Sequence, residues 1–118
     1  MKTQLWIAIE LLKRAEVLHS INFLHRDIKP ENFLVGHGKR QNTVFMIDYG
    51  LAKRYRCPKT DVHIEYKEKE DVIGTARYAS LNAHDCFEQG RRDDLEAIGF
   101  VILFFARRGH LPWMDVEN

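Results

Sequence analysis

Between Thr3 and Ser20 the apolar residues Leu5, Ala8, Ile9, Leu12, Ala15 and Leu18 recur at helical spacing, with Glu10 four residues before Arg14 on the wetter side. The pattern predicts one amphipathic helix over residues 3–20. It should end near Ser20-Ile21-Asn22, where side chains compete for backbone hydrogen bonds. Phe33-Leu34-Val35 and Thr43-Val44-Phe45-Met46-Ile47 are short β-branched and aromatic runs, joined by the polar, glycine-containing stretch 36–42, and predict a hairpin. Residues 53–71 keep no sustained period; they read as a long surface loop of the functional kind, with Tyr66 to Asp71 as a solvated charge run. Helical character returns after Arg91-Arg92-Asp93-Asp94, where an aspartate suits the free amides and positive dipole of a helix start. Leu95 to Ala106 is apolar nearly all round, which predicts a central helix over 94–107 packed on several sides and stopped by Gly109 and Pro112. Together these elements make a mostly helical α+β unit without repeats.

Composition changes this picture little. An apolar share of 45%, with 18 basic against 17 acidic residues among 118, describes a globular chain and gives no reason to expect nucleic acid or an anionic membrane as partner. The apolar run Ile98 to Ala106 is far short of the roughly 20 residues that span a bilayer. Charges at Glu10, Lys13, Arg14 and Glu16 break the first apolar stretch, so it does not read as a secretory signal. Cys57 and Cys86 lack metal or disulfide spacing and read as reduced thiols of a cytosolic or nuclear protein. The histidines show no metal-ligand spacing either.

The candidate chemistry sits in "FLHRDIKPENFLV", residues 23–35. His25-Arg26-Asp27 is followed by Lys29 and Asn32, and an apolar strand then leads into Asp48-Tyr49-Gly50. This order is that of a phosphoryl-transfer loop, H-R-D-x-x-x-x-N, followed by a metal-binding D-F-G-like turn. The chemistry needs an acceptor for the attacking hydroxyl's proton, oxygen ligands for Mg²⁺, and positive charge near the phosphate. Asp27 suits the first task, Asn32 and Asp48 the second, and Lys29 the third. In an extended loop Asp27 and Lys29, two residues apart, point to the same side.

"GTARYASLN" at residues 74–82 and "RRDDLEAIG" at 91–99 narrow the family. With "HRDIKPENFLVG" and "LPW" at residues 111–113, they closely resemble the casein kinase 1 family of serine/threonine protein kinases over essentially all 118 residues. The resemblance implies a protein kinase-like fold, here a partial large lobe. It implies use of ATP and Mg²⁺ on protein substrates with acidic or phosphorylated residues upstream of the target Ser or Thr. By the same resemblance Asp27 is the catalytic base and Lys29 contacts phosphate. Thr75 bonds the base and its lysine, and Asn32 and Asp48 hold the metal. Leu34 and Ile47 line the adenine side, and Arg77 belongs to a substrate anion pocket. Asp94 anchors the loop carrying the base, with His25 and Arg26 as structural support, and the activation segment is residues 48–82.

Tyr49 stands where the family usually has Phe, so its hydroxyl needs water or a partner, and Leu81 stands for Ile. In the resembled family a glycine-rich loop, a strand lysine and its glutamate partner precede the helix that opens this sequence, and further helices follow its end. These 118 residues are therefore expected to show negligible phosphotransfer alone; the competing reading is a non-catalytic kinase-like binding module or a truncated product. Plainer readings of single residues remain beside these roles. Arg77 can be an ordinary surface arginine, and Arg26 can either hold an acidic or phosphorylated segment or pair locally. His25 fits a packed core histidine, and Lys53, Arg54 and Arg56 fit a solvated loop face.

Overall fold

The first twenty residues hold no proline or glycine and are rich in Leu, Ala, Glu, Lys and Arg, all good helix formers. In the computed structural model, which describes residues 1–116, they form α1, Lys2–Ser20. Positions 117 and 118 of the expected domain lie outside the described residues. The helix stops where Asn22 takes a left-handed φ of 71°, a conformation Asn tolerates, and Asn22 N–H donates back to the His19 carbonyl.

The helix is where the period placed it, but of the apolar set read from the sequence only Ala15 and Leu18 are buried in the core, joined by Leu11, whereas Leu5, Ile9 and Leu12 face solvent. Both stripes satisfy a helical period, and only the location of the partner helix chooses between them. Glu10 pairs with Lys13 at 3.1 Å rather than with Arg14.

The partner is α3, Arg91–Ala106. It begins three residues before the expected start at 94, because Asp93 accepts the Gly90 N–H at 2.7 Å and so closes the first turn from within. Ser80 Oγ donates to the same carboxylate at 2.6 Å. Ala97, Ile98 and Val101 meet Leu11, Ala15 and Leu18 of α1 in the core, joined by Ile28, Val44, Met46, Tyr78 and Leu111. Each large apolar side chain so buried contributes about 1.5–3 kcal/mol. α3 packs on several sides, as expected: besides α1, Phe104 meets Tyr78 edge-on at 5.9 Å and Phe100 meets Trp113 at 5.1 Å, while Leu95 and Leu103 remain partly exposed.

Two small antiparallel ladders flank the helices. β1, Phe23–Leu24, pairs with β4, Lys53–Arg54; β2, Phe33–Val35, pairs with β3, Val44–Met46, in the register Phe33 to Met46, Leu34 to Phe45 and Val35 to Val44. A 3₁₀ turn, Gly38–Arg40, lies within the hairpin connection. Strand alternation turns Val44 and Met46 into the core, which leaves Leu34, Phe45 and Ile47 on the opposite face.

The stretch 53–71 is more structured than its composition suggests. Beyond β4, Arg56 bridges His63 and Glu68 bridges Phe87. Tyr55 is fully buried and donates its hydroxyl to the His19 carbonyl at 2.6 Å. Tyr66 stacks on Phe87 with ring centroids 5.0 Å apart, so the run 66–71 is only partly a solvated face. A short α2, Leu81–His84, capped by Ser80, then leads to α3.

Candidate active site

β1 delivers the chain to residue 25, and Asp94 of α3 fixes the backbone of residues 25 and 26. The Asp94 carboxylate is buried and accepts three hydrogen bonds: His25 N–H at 2.9 Å, Arg26 N–H at 3.0 Å and His19 Nε2 at 2.8 Å. Charge-assisted bonds of this kind are about twice as strong as neutral ones, and here they hold Arg26 at a left-handed φ of 66° that a non-glycine residue disfavours.

His25 has no exposed surface, and its bonds define its tautomer. Nδ1 accepts the Asp27 N–H at 3.2 Å, so Nε2 carries the proton and donates to the Ile47 carbonyl at 2.9 Å. It acts as a packed spacer between the loop and β3, as the plainer reading of the sequence has it.

The two oxygens of Asp27 are held differently. Oδ1 accepts from Thr75 Oγ1 at 2.7 Å and from the Thr75 N–H at 3.1 Å. Oδ2 lies 3.5 Å from Lys29 Nζ and 3.4 Å from Asn32 Nδ2, both long contacts. One oxygen is therefore pinned and the other keeps capacity to accept a hydrogen bond. Asn32 Nδ2 donates its short bond, 2.8 Å, to the Asp27 carbonyl. Its Oδ1 has no partner among the described residues.

Thr75 reaches Asp27 because Gly74 precedes it. Gly74 has φ 104°, and a Cβ there would come within 2.5 Å of the Arg26 carbonyl oxygen, so only glycine lets the two backbones approach.

Ile47 N–H donates to the Asn32 carbonyl at 2.9 Å, which joins the end of β3 to the loop. Asp48 comes next at φ 59° with its side chain exposed, Oδ1 accepting from the Gly50 N–H at 3.2 Å. The donor set of Asn32 Oδ1 and an Asp48 carboxylate oxygen suits a hard cation that takes one carboxylate plus phosphate oxygens, as Mg²⁺ does. Leu34 and Ile47 share one hairpin face next to these ligands, with Leu34 51% exposed. That face is an open apolar platform.

Tyr49 finds the partner its hydroxyl needs in the Met46 carbonyl, at 2.9 Å, while its ring edge meets His25 at 5.4 Å. Arg26 does bond the following segment, through Nε to the Leu51 carbonyl at 2.7 Å. Burial lowers its pKa, and the charges of Glu88 and Asp94 oppose that shift. Arg77 stands apart. It lies exposed on a 3₁₀ turn, Ala76–Tyr78, makes no bond to Asp27, Lys29 or Asn32, and its carbonyl accepts from Trp113 Nε1 at 2.7 Å.

Sequence reading missed three supports. His19 clasps Asp94 from the end of α1; its place one turn beyond Ala15 on the buried stripe was the available signal. Tyr55 had none, lying in a charge-rich stretch. Glu88 is buried and receives Lys53 at 2.8 Å, so the expected solvated basic face of Lys53, Arg54 and Arg56 is mostly engaged. Arg54 lies over the Phe23 ring at 5.2 Å and Arg56 bonds Asn22 Oδ1 at 2.8 Å.

Asp27, Lys29 and Asn32 thus meet on one loop, and the Ile47–Asn32 backbone bond brings the strand end that leads into Asp48 beside it. In sequence, residues 3–118 match the protein kinase domain family, and the chain belongs to that family.

Proposed function

We propose that this chain forms the catalytic core of a serine/threonine protein kinase of casein kinase 1 type, carrying ATP-dependent phosphotransfer to Ser or Thr of acidic or already phosphorylated proteins. Kinase function in general follows from the family; the finer assignment rests on the site and on the segments 74–82 and 91–99. One observation carries it: Asp27 has one oxygen pinned by Thr75 and the other held only by long contacts to Lys29 and Asn32.

In this reading Asp27 Oδ2 accepts the proton of the attacking hydroxyl as the new phosphorus–oxygen bond forms and the bond to the departing ADP breaks. Lys29 faces the transferring phosphate, and its ammonium offsets the charge gathering on the oxygens. Asn32 and Asp48 would hold Mg²⁺, which when bound neutralises charge on the phosphates. Leu34 and Ile47 would carry the adenine. Arg77 would face an anionic group on the substrate; its exposure supports that place, since a guanidinium left open to solvent can receive phosphate or carboxylate oxygens. Two free cysteines suit a cytosolic or nuclear setting.

Positioning supplies most of kinase catalysis, and the platform of Leu34 and Ile47 is open within these residues. The 118 residues alone should therefore transfer phosphate negligibly, and that openness equally favours a second reading as a kinase-like binding module. Casein phosphorylation by this chain and by a version carrying a nucleotide-covering lobe upstream separates the two: activity only in the longer protein, lost in Asp27→Asn, supports the kinase reading. No activity and no ATP binding in either supports the binding module.

A further inference from the structure

Glu88 lies between Phe87 and Gln89, outside the catalytic loop and the metal-binding turn, and is only 4% exposed. Three cations from separate stretches gather around it. Lys53 Nζ of β4 donates to Oε1 at 2.8 Å, Lys69 Nζ lies 3.4 Å from Oε2, and Arg26 sits within reach of its charge. Burial alone would raise the carboxyl pKa, yet the two lysines outweigh it and hold the group below its ordinary value. Oε2 has the ionic contact with Lys69 but no hydrogen bond, so the pairing there is one of charge.

The backbone around Glu88 extends this hold. Its N–H donates to the Lys67 carbonyl at 2.8 Å, Lys69 N–H donates to the Cys86 carbonyl, and Gln89 Nε2 donates to the Ile73 carbonyl at 3.1 Å. Ile73 leads through Gly74 to Thr75, which pins Asp27.

We propose that Glu88 is a positioning residue, a built-in anion that does for this segment what a bound phosphate would: it draws Lys53 and Lys69 together, fixes residues 67–73 against the segment 86–89, and thereby seats Thr75 on Asp27. The effect on Asp27 rests on the kinase reading; the anion site itself does not. Removing the carboxylate should leave a cationic hole open to a small tetrahedral anion.

The test uses hydrogen exchange and calorimetric titration with inorganic phosphate on the full chain. In Glu88→Ala the Lys69 amide should exchange about tenfold faster, the loss of one charge-assisted bond. Millimolar phosphate should bind that variant, restore its protection and leave the wild type unchanged, and adding Lys53→Gln should abolish the binding. If Glu88→Ala does not fold, Glu88→Gln keeps shape without charge and should still speed exchange at Lys69 while far-UV circular dichroism stays native. Wild-type exchange in Glu88→Gln overturns the proposal, as does a loosened Glu88→Ala that gains nothing from phosphate. Neither readout involves phosphotransfer, so failure of the kinase reading, seen as turnover persisting in Asp27→Asn, is a separate result.

Discussion

Replacing Asp94 by Asn changes one oxygen to an NH₂ and leaves the size of the side chain unaltered. The native carboxylate accepts from two backbone amides and from His19 Nε2, at 2.8 to 3.0 Å, at a site almost closed to water. An amide group can accept through one oxygen only, so His25 or Arg26 must lose its acceptor and face an N–H instead. A hydrogen bond to a charged group is worth about 1.5–3 kcal/mol, and an orphaned buried donor adds desolvation cost. The surviving bond also becomes neutral, while the strained φ of Arg26 still has to be held. We expect a total of about 2–4 kcal/mol, concentrated on the loop rather than spread over the fold. Native-state hydrogen exchange reads it directly. The amides of His25 and Arg26 should exchange at least about 30-fold faster in Asp94→Asn, since 1.4 kcal/mol corresponds to tenfold, while the α1–α3 core amides change much less. Acceleration below about threefold at both amides would refute the assignment of Asp94 as the clasp of this loop.

Gly74→Ala should cost more than about 2 kcal/mol and detach Thr75 from Asp27, because the added Cβ meets backbone at a positive φ; a crystal structure or chemical-shift changes at Thr75 would report it. Tyr49→Phe removes one hydrogen bond at a half-exposed ring and should shift stability by no more than about 1 kcal/mol in denaturant titration. Glu88 has a depressed folded-state pKa, so its stabilisation is present above the unfolded value near 4.5 and is lost as pH falls through the lower folded value. Stability measured from pH 6 down through that acid range should therefore fall less steeply in Glu88→Gln than in the wild type. The exposed stripe of Leu5, Ile9 and Leu12 should bind a hydrophobic dye, and Ile9→Lys should reduce that binding without loss of helix content.

The helices and the hairpin were legible because their periods are long or sharply bounded: α1 and the 33–46 hairpin lie where the alternation of apolar residues puts them. The buried stripe of α1 was legible only at Ala15 and Leu18, since period alone does not say which face meets α3. The start of α3 was not legible, since it depends on Asp93 reaching back to Gly90. In the site, the order of Asp27, Lys29, Asn32 and Asp48 signalled residues that the fold does bring to one edge. Their supports were hidden because they come from distant stretches: Tyr55, Lys69 and Glu88 acquire partners only through long-range closure, and charge-rich composition masked them.

The most direct measurement is transfer of the terminal phosphate of ATP to casein by a kinase domain that contains these residues as its large-lobe core, with Asp27 intact or replaced by Asn. The expected result is turnover in the intact protein and a loss of at least about a hundredfold in Asp27→Asn, with far-UV circular dichroism unchanged, as the proposed role of Asp27 as general base requires. Undiminished turnover in Asp27→Asn would contradict the placement of the reacting centre at this carboxylate.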